Sequence, residues 1–125
     1  MANQPETLIY VIDDDDVVRD SLKALLQVRR YAVRDFGSGE QFLAADPDLS
    51  RCCLILDVHM PNMTGIQLMQ AMRERGKEAA TILITGKRDA ALQNQASELG
   101  ALALLDKPLS HATLFQTIEQ ALAPH

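Results

Sequence analysis

Four acidic side chains stand in a row, Asp13 to Asp16, directly after the apolar run Leu8-Ile9-Tyr10-Val11-Ile12. A fifth, Asp57, closes the run that starts at Cys52, and Thr85 closes another just before Gly86. Lys107 follows the run Ala101 to Leu105 and precedes Pro108. If these runs are parallel strands, their carboxyl ends share one edge, and carboxylates, a hydroxyl and an ammonium converge there. Carboxylates packed together repel and need compensation. Mg²⁺, a hard cation with oxygen ligands, supplies it and also draws a phosphoryl group. Lys107 would neutralise a second phosphoryl oxygen, and the Thr85 hydroxyl would donate to a third. Asp57, between the acidic end and the Lys/Thr end, is the best-placed nucleophile. Carboxylate attack on phosphorus gives an acyl phosphate. The protein's part in that chemistry is mainly alignment and charge neutralisation.

The elements that would position these groups alternate along the chain. Leu8 to Ile12 reads as a strand; Val18, Leu22, Leu25 and Leu26 then fall at helical spacing. Tyr31 to Phe36 alternates as a half-buried strand does, and Ser38-Gly39-Glu40 opens a short helix. Cys52 to Leu56 is a fully apolar strand, followed by a helix over Gly65 to Arg73. Ala80 to Thr85 is another buried strand. Leu92, Ala96 and Leu99 mark a helix that Gly100 is placed to cap. Ala101 to Leu105 is the fifth strand, and Ser110 is the N-cap of a last helix bearing Leu114, Ile118, Ala121 and Leu122. Strict alternation of five strands and five helices predicts a parallel sheet covered on both faces. For one domain of this length the economical form is a flavodoxin-like, doubly wound, three-layer α/β/α fold with strand order 2-1-3-4-5.

Composition narrows the function. The 125 residues suit one domain, expected over 1–125 with a core at about 7–122. With 47% hydrophobic residues, whole-chain disorder is excluded. A formal net charge of −5 argues against an autonomous DNA-binding domain. Aromatic residues are 4% and Trp is absent, which argues against stacking on single-stranded nucleic acid. No apolar run is long enough for a membrane span, and the opening MANQPETLIYVIDDDD lacks the basic start of a signal peptide. Cys52 and Cys53, adjacent in a strand, would face opposite ways and are read as unpaired core residues. A reduced, cytoplasmic location follows.

Four segments, LIYVIDD (Leu8 to Asp14), LDVHMPNMTG (Leu56 to Gly65), ILITG (Ile82 to Gly86) and GALALLDKP (Gly100 to Pro108), together resemble the receiver domain of bacterial two-component response regulators. The resemblance runs from about residue 7 to 122. It implies Asp57 as phosphoacceptor, with a phosphoryl group taken from the phosphohistidine of a sensor histidine kinase. It implies Asp13 and Asp14 as the acidic pair holding Mg²⁺, with Asp57 and the backbone carbonyl of His59 completing the protein ligands. Thr85 matches the switch hydroxyl, Lys107 the phosphate-binding lysine, and Pro108 the proline after a cis bond. Such a domain is no enzyme for a separate substrate; it catalyses its own phosphorylation and slow dephosphorylation. Its expected partners are the kinase and an output domain or target protein, met through the fourth helix, fifth strand and fifth helix, with room for a phosphorylation-dependent homodimer. No direct contact with nucleic acid or membrane is implied. LDVHMPNMTG with ILITG is most similar to receivers joined to LuxR-type helix-turn-helix output domains, so transcription is the expected output. No output domain lies within the chain.

Three features depart from the family pattern. Leu104 stands where the family usually has the aromatic residue that follows the threonine's movement. His59 and Lys87 occupy the positions that flank the phosphoryl group and tune its lifetime. The chain also stops at His125, just after the last helix. Two alternatives compete. A degenerate receiver, acting only as an interaction module, is favoured by Leu104 and opposed by the complete acidic, Thr and Lys set. A haloacid-dehalogenase-type aspartyl phosphatase is suggested by Asp13 to Val17, which satisfies a DxDx[TV] pattern, but it leaves LDVHMPNMTG unexplained. That phosphatase would use Asp13 or Asp14 as nucleophile; the receiver uses Asp57. Asp15 and Asp16 read as helix caps, and His111 as an ordinary first-turn residue. Met60, Met63, Met69 and Met72 read as packing.

Overall fold

The computed structural model describes residues 7–123. Five strands, β1 (Leu8–Ile12), β2 (Ala32–Phe36), β3 (Cys52–Asp57), β4 (Ala80–Thr85) and β5 (Ala103–Asp106), alternate with five helices. These are α1 (Asp16–Val28), α2 (Gly39–Ala45), α3 (Gly65–Glu74), α4 (Ala90–Glu98) and α5 (His111–Leu122). The strands form one sheet in the order β2-β1-β3-β4-β5, and every neighbouring pair is parallel. The expected flavodoxin-like topology is therefore the observed one.

The two-residue repeat of a strand divides the core. Tyr10, Ile12, Leu54 and Leu56 point to one face, where they pack with Phe42 of α2, Leu68 and Met72 of α3, and Leu92 and Ala96 of α4. Ile9, Val11, Ile55, Ile82 and Ile84 point to the other, against Leu22 and Leu26 of α1 and Leu114 and Ile118 of α5. All six residues of β3 are buried, as a strand covered on both faces must be. Cys52 lies in the first layer and Cys53 in the second, both unpaired. Burial pushes their thiols up to about 11 and about 12. That disfavours the thiolate, so neither is poised for redox chemistry. Met60, Met69 and Met72 are core residues, with Met63 packed against them.

Helix ends follow local chemistry. Asp15 caps α1 by accepting from the N–H groups of Val17 and Val18, and Asp16 is the first helical residue. Thr64 and Gln67 form a reciprocal capping box at the start of α3. Ser110 caps α5 by accepting from Thr113 N–H. Gly100, at φ +80°, ends α4, with Gly100 N donating to Ser97 O and Ala101 N to Ala96 O. This closure moves the fifth strand. The apolar run suggests Ala101 to Leu105, but Ala101 completes the helix end, and β5 occupies Ala103–Asp106 instead. At β2, Tyr31 is likewise spent on the end of α1, its N–H donating to Leu26 O.

The order β2-β1-β3-β4-β5 reverses direction between β1 and β3. There α1 covers one face and α3 the other, which opens a crevice at the carboxyl ends of β1 and β3. No helix among the described residues is long and apolar enough to cross a membrane.

Candidate functional site

Asp13 is the first residue beyond β1. Its N–H donates to Phe36 O at 3.2 Å, which extends the β1–β2 ladder by one residue and fixes where its side chain starts. The carboxylate is almost fully buried, at 3% exposure, and accepts from Asp15 N–H at 2.9 Å. Burial raises its carboxyl to about 6; the Asp15 N–H opposes that rise, the Asp57 charge adds to it, and Lys107 offsets part. Asp14 is exposed. Asp57, the last residue of β3, is also buried, at 4% exposure. Asp13, Asp14 and Asp57 each offer a carboxylate oxygen, and these oxygens lie within 4.8 Å of one another.

The Lys107 Nζ stands 3.4 Å from Asp57 Oδ2. The Lys107 backbone N–H donates to Thr85 O at 2.8 Å, tying the end of β5 to the end of β4. The Lys107–Pro108 peptide bond is cis. Thr85 is fully buried; its Oγ1 accepts from Lys87 N–H at 3.0 Å. The expected convergence at one sheet edge therefore exists. Asp57 has two acids and one ammonium close by, with the Thr85 hydroxyl on the neighbouring strand.

Several contributors were not legible beforehand. His59 N–H donates to Asp57 Oδ1 at 3.1 Å, and its imidazole Nε2 lies 3.0 Å from Thr85 Oγ1. Sequence reasoning gave His59 a carbonyl role and a flanking position, but not this contact. Arg19 braces the acidic loop: it donates to Asp13 O at 2.7 Å, to Asp35 Oδ2 at 2.9 Å and to Asp16 Oδ1 at 2.5 Å. Its spacing from Asp16 is the one readable signal. Arg88 reaches from the loop after β4 to Leu104 O, and to Asp106 Oδ1 at 3.1 Å. Nothing in the sequence marks it. Leu104 is half-buried and packs against the first core layer.

The glycines at the site differ. A Cβ on Gly65 would sit 2.6 Å from the Asp57 carbonyl oxygen and 3.0 Å from Val58 Cα, so only glycine allows α3 to start against the end of β3. At Gly86 a Cβ would meet open space, so no contact there demands glycine.

These elements, in this order and with these groups at one edge, match the response regulator receiver domain family over residues 9–119. The chain belongs to that family, whose members work in phosphorylation-based signalling. Among named relatives, it is 40% identical over 119 residues to the transcriptional regulatory protein FixJ of Azorhizobium caulinodans, a match covering 94% of this chain and 56% of FixJ. It is 34% identical over 120 residues to the response regulator protein TmoT of Ectopseudomonas mendocina, covering 96% of this chain and 54% of TmoT. The crystal structure of FixJ-N superposes with a TM-score of 0.86 at 30% identity, covering 95% of both chains. The chain thus spans about half the length of the curated relatives it matches. The family match favours the receiver over the dehalogenase-type phosphatase, and the complete set of Asp13, Asp14, Asp57, Thr85 and Lys107 opposes the silent interaction module.

Proposed function

We propose that Asp57 accepts a phosphoryl group from the phosphohistidine of a sensor histidine kinase. The observation that supports this most directly is the setting of its carboxylate. It is buried at the end of the central strand, with Lys107 Nζ at 3.4 Å and oxygens of two further carboxylates within 4.8 Å. In the step, an Asp57 carboxylate oxygen attacks phosphorus, the O–P bond forms, and the N–P bond to the donor imidazole breaks. The leaving imidazole takes up a proton. Slow attack of water on the same phosphorus ends the signal.

The residues present suit Mg²⁺. The donors are hard carboxylate oxygens within reach of one ion, and Asp13 is buried at a cost that a cation would relieve. Asp13, Asp14, Asp57 and the His59 carbonyl would hold it. Bound there, the ion would neutralise charge on the phosphoryl oxygens. Lys107 neutralises another phosphoryl oxygen, and the Thr85 hydroxyl donates to a third. Gly86 follows Thr85 and Pro108 follows Lys107, in the loops that carry those two groups.

Phosphorylation then shifts a two-state population. The difference in free energy must come from the contacts of Thr85 and Lys107. The shift spreads through the loops after β3 and β4 to the face formed by α4, β5 and α5, where Leu104 replaces the usual aromatic residue. That face serves an output domain or a target protein. The similarity to FixJ and TmoT supports a LuxR-type output domain in a longer cytoplasmic regulator of transcription, and dimerisation on phosphorylation is compatible with the same face. On this reading residues 1–125 form one receiver domain.

The test is intact mass after incubation with acetyl phosphate and Mg²⁺. One added phosphoryl group that requires the metal supports the reading. A chain that takes none from acetyl phosphate or from a histidine-phosphorylated donor overturns it.

A further inference from the structure

The Thr85 hydroxyl has one proton to donate and two lone pairs to fill. One lone pair accepts from Lys87 N–H, which can only donate. The side chain is fully buried, so its proton also needs an acceptor or carries a desolvation penalty. Among the described residues one acceptor is in place, His59 Nε2 at 3.0 Å. The assignment that satisfies the Thr85 hydroxyl has Nε2 accepting its proton, with the ring N–H on Nδ1. The Thr85 proton then points at His59 rather than toward Asp57. Meanwhile the His59 backbone N–H holds Asp57 Oδ1, so one residue touches both groups that the phosphoryl must bring together.

We propose that His59 is a positioning residue: its imidazole holds the Thr85 hydroxyl proton away from Asp57 until a phosphoryl group there competes for it. The inference rests on the reading of Asp57 as phosphoacceptor. Its consequence is that Thr85 contributes a difference to switching: a Thr85–phosphoryl bond is gained and a Thr85–His59 bond is lost. With Leu104 unable to follow Thr85 as an aromatic ring would, His59 is the side chain that must change partner when Thr85 moves.

The test titrates the Mg²⁺-loaded chain with beryllofluoride as a phosphoryl analogue, at fixed pH, following amide and imidazole nitrogen resonances. His59 is exposed, so its substitution is compatible with folding. His59→Leu covers the hydroxyl without accepting from it and should bind the analogue roughly fivefold tighter or more, the worth of one unmet buried donor. His59→Gln, whose amide oxygen can accept at similar reach, should stay within about twofold of the parent chain. In a Thr85→Val background the gain from His59→Leu should vanish. In the free parent chain the His59 proton should sit on Nδ1. Equal or weaker binding by His59→Leu, a gain that persists without the Thr85 hydroxyl, or a proton on Nε2 would overturn the proposal. Failure of the parent chain to be phosphorylated at all would instead sink the receiver reading beneath it.

Discussion

Replacing Asp13 with Asn should stabilise the metal-free protein, and by an amount that depends on pH. The buried carboxyl of Asp13 is raised from 3.8 to about 6. A raised carboxyl means the folded state holds its proton more tightly than the unfolded chain does. Below about pH 4 the group is protonated in both states and costs nothing. Between about 4 and 6 the unfolded chain ionises first and stability falls as pH rises. Above about 6 both states are ionised and the whole penalty is present. One pH unit corresponds to about 1.4 kcal/mol, so the penalty at pH 7.5 is about 2–3 kcal/mol. Asn keeps the oxygen that accepts from Asp15 N–H but carries no charge. The assay is urea denaturation followed by circular dichroism, in EDTA, at pH 5 and pH 7.5. D13N should exceed the parent by about 2–3 kcal/mol at pH 7.5 and by clearly less at pH 5. Saturating Mg²⁺ should close the gap by stabilising the parent, by about 2.7 kcal/mol at a hundred times its dissociation constant. A D13N protein no more stable than the parent, or equally more stable at both pH values, would refute the reasoning.

Three further outcomes are expected. Lys107→Ala removes a charge-assisted contact to Asp57 and should reduce the phosphorylation-induced change in amide resonances of α4 and β5 by about tenfold or more in apparent equilibrium, while Mg²⁺ affinity changes less; equal losses would count against the assigned role. Gly65→Ala should lower stability by about 1–3 kcal/mol in urea denaturation, because the new Cβ meets backbone on β3, whereas Gly86→Ala should stay within about 0.5 kcal/mol. Arg88→Ala should cost at most about 1 kcal/mol, since the ion pair to Asp106 is exposed; it should nonetheless speed amide hydrogen exchange in the loop after β4, and unchanged exchange would show that the side chain does not hold that loop.

Much of the site could be read from residue order alone. Asp13, Asp57 and Thr85 each follow or close an apolar run, and a parallel sheet brings strand ends together whatever the details of packing. The core layers were legible for the same reason: alternation along β1 and β3 sorts Tyr10 and Leu54 from Val11 and Ile55. The boundaries of β5 were not. The run from Ala101 is uniformly apolar, and it is the closure after α4, made by Gly100 and two backbone hydrogen bonds, that takes up Ala101. The Arg88 and His59 contacts were also hidden. Both depend on where a loop places a side chain, and a lone Arg or His carries no periodic signal. Gly65 needed the structure as well, since its requirement comes from the approach of backbone at Asp57 and not from a turn.

The central claim is that Asp57 is the phosphoacceptor. Its most direct test reduces the phosphorylated protein with borohydride, which converts an acyl phosphate to an alcohol and expels phosphate, and then maps the peptides by mass. The account predicts homoserine in place of aspartate at position 57 alone, and none when Mg²⁺ is withheld. Homoserine at position 13 or 14 would contradict it and restore the phosphatase reading.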